Sequence, residues 1–228
     1  SSAASDVYKR QVRGGAFLVQ MIVGSVMIGA MLYVSFHLQI VLGMDPLLAG
    51  LATLPITLSI MVMVPIATKL LSTIGPRPMM IGGPLVSAIG LAYLSRVTAD
   101  GSYLVQVLPA LIVLGLGMAF VFVPLQNLAL TGVEPHDAGA ASATLNSALQ
   151  IGGSIGLSVF TALYAARVAD FGTGGSQLDA FTSGYSVAFL AAAIGLVLAS
   201  IIAAVFIRGS KSELLPQVSD TEAAVYVH

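Results

Sequence analysis

The stretch Tyr103–Leu130, YLVQVLPALIVLGLGMAFVFVPLQNLAL, decides the fold, because it carries no charged side chain over a length that exceeds the thickness of a bilayer. A helix crosses the hydrocarbon core in about 20 apolar residues, and a charge at the bilayer centre costs at least ~2.5 kcal/mol. Five further apolar runs surround this one, and the charged side chains lie at their ends, in the gaps or at the termini. The pattern predicts an all-α integral membrane protein.

Composition supports this class and excludes others. Hydrophobic residues make up 57% of the chain, charged residues 8%, and the mean hydropathy is +0.97. A soluble domain carries about 25% charged residues. A net charge of −1 argues against nucleic-acid binding, which needs a basic patch. The chain has no cysteine, so a disulfide framework, a thiolate nucleophile and a Cys-ligated metal are excluded.

Six transmembrane spans are predicted, and their continuous apolar character excludes the alternating ~10-residue segments of a membrane barrel. The spans are Ala16–Leu42, Leu47–Leu71, Met79–Leu94, Tyr103–Leu130, Ala138–Ala166 and Tyr185–Ile207. The chain therefore divides into a stretch 1–15, a six-helix bundle 16–207 and a flexible cytoplasmic tail 208–228. The polar stretch 1–15 is interpreted as non-native or cytoplasmic, and the natural start of the protein is expected upstream.

Basic residues set the predicted orientation, since cytoplasmic loops of membrane proteins are enriched in Lys and Arg. One side of the membrane receives seven of them and the other side two: Lys9, Arg10, Arg13, Lys69, Arg77, Arg208 and Lys211 against Arg96 and Arg167. Both termini are therefore predicted to be cytoplasmic. The segment Lys69 to Arg77 is predicted to be a cytoplasmic loop in which Gly75 and Pro76 enforce a turn.

A short sequence repeat relates the first three predicted spans to the last three. Two segments, 89 positions apart, share the pattern acid-Pro-x-x-Ala-Gly-x-Ala-Ser/Thr. They are Asp45-Pro46-Leu47-Leu48-Ala49-Gly50-Leu51-Ala52-Thr53 and Glu134-Pro135-His136-Asp137-Ala138-Gly139-Ala140-Ala141-Ser142. Pro suits a first helical turn, an acid suits a helix N-terminus, and small residues allow close packing of the new helix. Three spans separate the copies, which predicts a 3+3 inverted repeat as in secondary transporters. A chance match between two helix starts is the alternative.

Polar side chains inside the spans mark a candidate substrate cavity. They concentrate in spans one, two, four and five, whereas spans three and six are almost wholly aliphatic and are expected to face lipid. The cavity candidates are Tyr33, His37, Gln39, Gln126, Asn127, Asn146 and Gln150. Asn146 and Gln150 share a helix face. For the amides, hydrogen bonding between helices is an equal alternative, and for His37 a satisfied interfacial histidine is the alternative.

Span five is predicted to pack closely on another helix through Gly152 and Gly156, which form a small-xxx-small step. No catalytic constellation, cofactor motif or metal-ligand spacing is visible, and Gly152-Gly153-x-x-Gly156 lies within an apolar helix rather than after a strand. The chain is therefore predicted not to be an enzyme and to need no cofactor.

Several segments together resemble the major facilitator superfamily. They are His37–Gly43 with Pro46–Gly50, the loop Gly75-Pro76-Arg77-Pro78, Gly115-Leu116-Gly117, Ala138–Ser142 and Gln150–Gly156. Across Ala16 to Ile207 the chain is similar to the C-terminal six-span half of the fourteen-span drug:proton antiporters. The resemblance implies two rocking halves, with the first and fourth spans lining the cavity and the third and sixth peripheral. Ser72 and Thr73 stand where the family's loop motif has Asp and Arg.

The sequence therefore predicts half of a secondary active exporter in the cell membrane, exchanging amphipathic compounds for protons by alternating access. Its expected partners are the lipid bilayer, the missing N-terminal half, a small amphipathic substrate and protons. The alternative is a non-transporting membrane subunit or scaffold that forms a six-span homodimer, and a membrane enzyme is the third possibility.

Overall fold

Six helices account for nearly all of the chain that the computed structural model describes, which is residues 2–129, 133, 135–171 and 176–207. They are α1 (Ser2–Phe36), α2 (Pro46–Ile74), α3 (Pro76–Leu94), α4 (Leu108–Ala129), α5 (Ala138–Phe171) and α6 (Gln177–Phe206). A π-helical turn, His37–Val41, extends α1, and a second, Tyr103–Val107, precedes α4. A 3₁₀ turn, Pro135–Asp137, leads into α5, and no β-strand occurs in these ranges.

Five of the helices are long and apolar enough to cross a membrane: Gln11–Val41, Pro46–Ile74, Tyr103–Leu128, Ala138–Phe171 and Gln177–Phe206. The predicted third span corresponds to α3, which is not among the five. It has 19 residues, includes Pro84, and carries Arg77 in its first turn. At 1.5 Å per residue α3 is about 28 Å long, close to the thickness of the hydrocarbon core. The chain is a multi-pass membrane protein.

The helix boundaries differ from the sequence-based ones at two places. Helix α1 is continuous from Ser2, so most of the stretch 1–15 belongs to the first helix. Helix α2 ends at Ile74 and α3 begins at Pro76, so Gly75 alone connects them, with φ of +80°. Lys69 and Arg77 are therefore helical rather than in a loop. The predicted tail 208–228 lies outside the described residues.

The helices pack in the order α2, α4, α3, α6, α1 and α5, and each one contacts the next extensively. Helix α1 packs on α5 and α6, α4 packs on α2 and α3, and α3 packs on α6. Helix α3 and the stretches containing α1 and α4 are each about half buried, whereas α2 is the least buried and covers only a stripe that includes Ala49, Ala52 and Ile56. Helices α3 and α6 each bury one face and expose another, as Ile89 and Ile194 illustrate at 65% and 62% exposure.

Helices α1 and α5 approach to backbone contact. A Cβ at Gly152 would lie 2.5 Å from the carbonyl carbon of Met21, and a Cβ at Gly24 would lie 2.9 Å from the Cα of Leu149. Gly156 lies equally close to Ser25, whose Oγ donates a hydrogen bond of 2.6 Å to the carbonyl oxygen of Gly152. Small residues allow such crossings in membrane helices.

The two repeat segments both precede a helix. Asp45 caps α2 by accepting a hydrogen bond of 2.9 Å from the Leu48 amide, and Pro46 is the first helical residue. Pro135 opens the 3₁₀ turn before α5, whereas Glu134 lies outside the described residues. The predicted close packing at these starts is not seen for the glycines, because no atom lies within 4 Å of a Cβ placed at Gly50 or Gly139.

Candidate functional site

Helix α5 presents a polar stripe to the outside of the bundle. Its buried face, which includes Leu145, Gly152 and Gly156, is turned inward. The exposed polar residues recur every fourth position along the helix: Ser142, Asn146, Gln150, Ser154 and Ser158. Positions four apart share a helix face, so these side chains form one continuous row, called the α5 polar stripe below.

An apolar exposed face runs beside the α5 polar stripe. Ile151, Ile155 and Val159 are 53%, 52% and 49% exposed. At 100° per residue these side chains lie on a different side of the helix from Asn146 and Gln150. Helix α5 therefore has three faces: one packed in the bundle, one apolar and suited to lipid, and one polar and unsuited to it.

Two of the three serine hydroxyls of the stripe, those of Ser154 and Ser158, donate hydrogen bonds within their own helix. Ser154 Oγ donates to the carbonyl oxygen of Gln150 at 3.0 Å, and Ser158 Oγ donates to that of Ser154 at 2.9 Å. Asn146 and Gln150 have no side-chain hydrogen bond to another described residue. The stripe therefore offers free amide donors and acceptors together with hydroxyl lone pairs, since a serine oxygen that donates can still accept.

Gln126 and Asn127 lie near the end of α4, which precedes the start of α5 in the chain. Gln126 is exposed, and its amide has no hydrogen bond to another described residue. Asn127 is half-buried and donates 2.8 Å from Nδ2 to the carbonyl oxygen of Val123. Because α4 ends and α5 begins at the same end of the bundle, these amides extend the polar surface toward that end.

Tyr33 and His37 lie inside the bundle at its opposite end, where α1 is followed by α2; this end is called the α1–α2 end. Both side chains are only 2% exposed. Tyr33 donates from its hydroxyl to Thr161 Oγ1 at 3.0 Å, and His37 packs edge-on against Tyr185 with ring centroids 6.2 Å apart. Gln39, in the same π turn as His37, is half-buried and donates to Ser35 Oγ at 2.7 Å.

Three tyrosines stack around this point. The Tyr164 and Tyr185 rings are 5.4 Å apart and nearly parallel at 12°, and Tyr33 lies 5.4 Å from Tyr164 and 5.8 Å from Tyr185. Gly184 makes room for the stack, because a Cβ there would lie 2.5 Å from the Tyr164 ring. The residues Tyr33, His37, Tyr164 and Tyr185 are called the aromatic cluster below, and they join α1, α5 and α6.

The predicted cavity residues thus separate into two groups. The exposed amides Gln126, Asn146 and Gln150 lie on the outer surface of α4 and α5, with Asn127 half-buried beside them. Tyr33 and His37 lie in the interior. Among the described residues no three His, Asp or Glu side chains come together as metal ligands.

Residues 2–157 match the family model of the Major Facilitator Superfamily. The chain belongs to this superfamily. Its members are membrane transporters.

Curated relatives include antibiotic resistance and export proteins. The chain is similar to puromycin resistance protein pur8 of Streptomyces alboniger, with 38% identity over 91% of the chain and 42% of that protein. It is 35% identical to the tetracenomycin C resistance and export protein of Streptomyces glaucescens, over 63% of the chain and 26% of that protein. It is 33% identical to the lincomycin resistance protein of Streptomyces lincolnensis, over 77% of the chain and 35% of that protein. The chain spans at most about two-fifths of the length of these relatives.

The connection between α2 and α3 of this major facilitator lacks the charged pair of the superfamily motif. Ser72 Oγ donates to the carbonyl oxygen of Lys69 at 2.7 Å, and Thr73 Oγ1 donates to that of Leu70 at 2.9 Å. These hydroxyls add a second hydrogen bond to carbonyls of their own helix in its last two turns, so neither forms a side-chain bond to α3. Tyr164 and Tyr185 were not predicted as site residues. Their signal in the sequence is a phenol hydroxyl within or at the end of a predicted transmembrane span.

Proposed function

We propose that the chain is one six-helix half of a secondary active exporter in the cell membrane, which exchanges amphipathic compounds for protons by alternating access. Two observations support this proposal: the relatives are antibiotic resistance and export proteins, and the chain spans less than half of their length. The missing length is the expected second half, and the substrate passes between the two halves.

The α5 polar stripe is the observation that carries the proposal. A row of amides and hydroxyls on an exposed helix face is unfavourable against lipid, because polar groups in hydrocarbon need partners. A water-filled pathway between two halves supplies such partners, and the apolar face with Ile151 and Ile155 meets lipid. The proposed substrate contacts are Gln126, Asn127, Asn146 and Gln150, with Gln39 toward the α1–α2 end.

The same stripe favours a substrate class. Hydroxyls that already donate to Gln150 and Ser154 carbonyls remain acceptors only, so the surface is richer in acceptors than in free donors. Acceptor-rich surfaces favour ligands that donate hydrogen bonds. The apolar flanks favour hydrophobic parts. The expected substrates are therefore amphipathic molecules that are cationic or neutral.

The 3+3 inverted repeat is also part of the proposal. A 3+3 repeat pairs α1 with α4, α2 with α5 and α3 with α6. Under this exchange the α1–α5 contact corresponds to the α4–α2 contact, and the α1–α6 contact corresponds to the α4–α3 contact. All four contacts are extensive. The exception is α5–α6, which is extensive, whereas α2–α3 is slight. The proposed orientation, from the basic residues, puts both termini in the cytoplasm and the α1–α2 end outside.

The test replaces both free amides of the stripe in the full-length protein. We expect N146L together with Q150L to raise the transport KM for a cationic amphipathic compound about tenfold, because two hydrogen bonds of about 0.5–1.5 kcal/mol each are lost. The matched control is I151L with I155L, which changes the adjacent exposed face of the same helix and should leave transport unchanged.

Membrane expression of both variants is measured in parallel, and efflux is assayed in cells and in proteoliposomes. Equal transport by the two double variants would remove the stripe from the substrate pathway. If the full-length protein itself moved no compound, the alternative of a non-transporting scaffold would account for the stripe as an assembly surface.

A further inference from the structure

His37 is a buried polar side chain with neither ring nitrogen satisfied. It is 2% exposed, and neither Nδ1 nor Nε2 has a hydrogen-bond partner among the described residues. The other unpaired buried side-chain atom in these ranges is Gln20 Oε1. Buried polar atoms are paired in the great majority of cases, and an ionisable group within a transmembrane segment is a functional candidate by default.

No opposite charge faces His37 from the helices around it. Its own helix contributes Tyr33, α6 contributes Tyr185 in ring contact, and α5 contributes Tyr164 through the stack. The charged groups of the neighbouring elements lie at the exposed rim of this end: Asp45 at the start of α2, Arg167 and Asp170 on α5, and Asp179 on α6. Arg167 Nε donates to Ser183 Oγ at 2.8 Å. The surroundings of the imidazole therefore suit its neutral form, since a buried charge without a partner is costly.

The backbone changes at the same residue. Helix α1 ends at Phe36, and the π turn begins at His37, whose carbonyl oxygen accepts from the Leu42 amide at 3.0 Å. After Leu42, Gly43 has φ of +66°, and the amide of the next residue, Met44, donates to the carbonyl oxygen of Leu38 at 3.0 Å. π-Helical turns within α-helices occur frequently at functional sites. The unpaired imidazole thus lies where the helix geometry changes.

We propose that His37 is a proton-binding site of the transporter, and that its protonation frees the end of α1 from Tyr164 and Tyr185. In this step the neutral imidazole takes one proton from water onto a ring nitrogen and becomes imidazolium. The charged ring is unfavourable between Tyr185 and the apolar core, so it moves to water and the α1–α6 contact at this end opens. Acid therefore favours the open arrangement, and loss of the proton restores the packed one.

The inference rests on the proposed function for its orientation, because only then does the α1–α2 end face outside, where protons enter an exporter that exchanges them for substrate. Histidine changes charge between about pH 5 and pH 8, which covers the external conditions of a cell. It differs from a carboxylate in that its deprotonated form is uncharged and can therefore be packed without a partner.

The test measures access to the buried end of α1 as a function of pH. The chain has no cysteine, so a single introduced cysteine can report on access at one position. L38C places it next to His37, and the control M80C places it at the opposite end of the bundle. Both native side chains are 0% exposed. Both single-cysteine variants of the full-length protein, with any cysteine elsewhere removed, are reacted with N-ethylmaleimide between about pH 5 and pH 8. The L38C rate is divided by the M80C rate at each pH, which cancels the ionisation of the thiol.

We expect this ratio to rise by at least about tenfold from pH 8 to pH 5 in the native background and to stay flat with H37Q or H37N. A flat ratio in the native background would overturn the inference, and so would an equal rise with His37 replaced. The result is separate from transport: efflux with a flat ratio leaves the proposed function standing, whereas a rising ratio without efflux of any compound rejects that function and leaves the proton site.

Discussion

The glycine crossing between α1 and α5 gives the sharpest prediction on stability. In G152A the new Cβ would lie 2.5 Å from both the carbonyl carbon and the Cα of Met21, whereas ordinary contact begins at 3.4 Å. These are backbone atoms, so no side-chain rotation relieves the overlap. The helices must separate by about 1 Å, which lengthens the 2.6 Å bond from Ser25 Oγ to the Gly152 carbonyl to about 3.6 Å, too long for a hydrogen bond.

The two effects have known sizes. Overpacking costs about 1–3 kcal/mol, and a hydrogen bond between membrane helices contributes about 0.6 kcal/mol. The better helix propensity of Ala returns about 1 kcal/mol. The matched control is G139A on the same helix, where a Cβ meets no atom within 4 Å and only the propensity gain applies. The free energies of unfolding of the two variants should therefore differ by about 2–4 kcal/mol.

The measurement is reversible unfolding of the full-length protein by sodium dodecyl sulfate in mixed micelles, followed by circular dichroism. Overpacking would also show as a lower helix content or a broader transition in G152A before denaturant is added. A difference below about 1 kcal/mol between the variants would refute the reasoning, because it would mean that α1 and α5 do not approach to backbone contact at this point.

Two other predictions follow from the fold. The S200A variant lacks the 2.8 Å hydrogen bond from the Ser200 hydroxyl to the carbonyl oxygen of Ile81, which joins α6 to α3. We expect the free energy of unfolding in the same assay to fall by about 0.6 kcal/mol, and by at most about 1.7 kcal/mol. No change would mean that the bond is replaced on mutation. For the orientation, a fluorescent protein fused after residue 207 should fluoresce as expected for the cytoplasm, and alkaline phosphatase inserted between residues 95 and 102 should be active outside; the opposite pair of signals would invert the topology.

The helices themselves were predictable because hydropathy constrains them strongly. Each predicted span overlaps a helix, since a charge-free run of this length has no other stable form in lipid. The boundaries were less predictable. Gly75 with φ of +80° and Pro76 after it allow a one-residue connection, and nothing in the composition of Lys69 to Arg77 distinguishes that from a longer loop.

The contacts between helices could not be read from the chain. Gly152 and Gly50 both follow small-residue patterns, yet a Cβ at Gly152 would meet Met21 whereas a Cβ at Gly50 would meet nothing. Which glycine is covered depends on where neighbouring helices lie, and local sequence does not encode that. For the same reason the polar character of His37 and Asn146 was visible in the sequence, but their placement, one in the interior and one on the surface, was not.

The two π turns lie at the same end of the bundle, one directly after α1 and the other directly before α4. Tyr103, which opens the second turn, donates from its hydroxyl to the carbonyl oxygen of Ala52 near the start of α2, and the turn at His37–Val41 also contacts α2. At the opposite end, Gly75 is the one residue that connects α2 to α3. Among the connections that the structure describes, the wide helical turns therefore lie at the α1–α2 end, whereas the α2–α3 connection has no residue to spare.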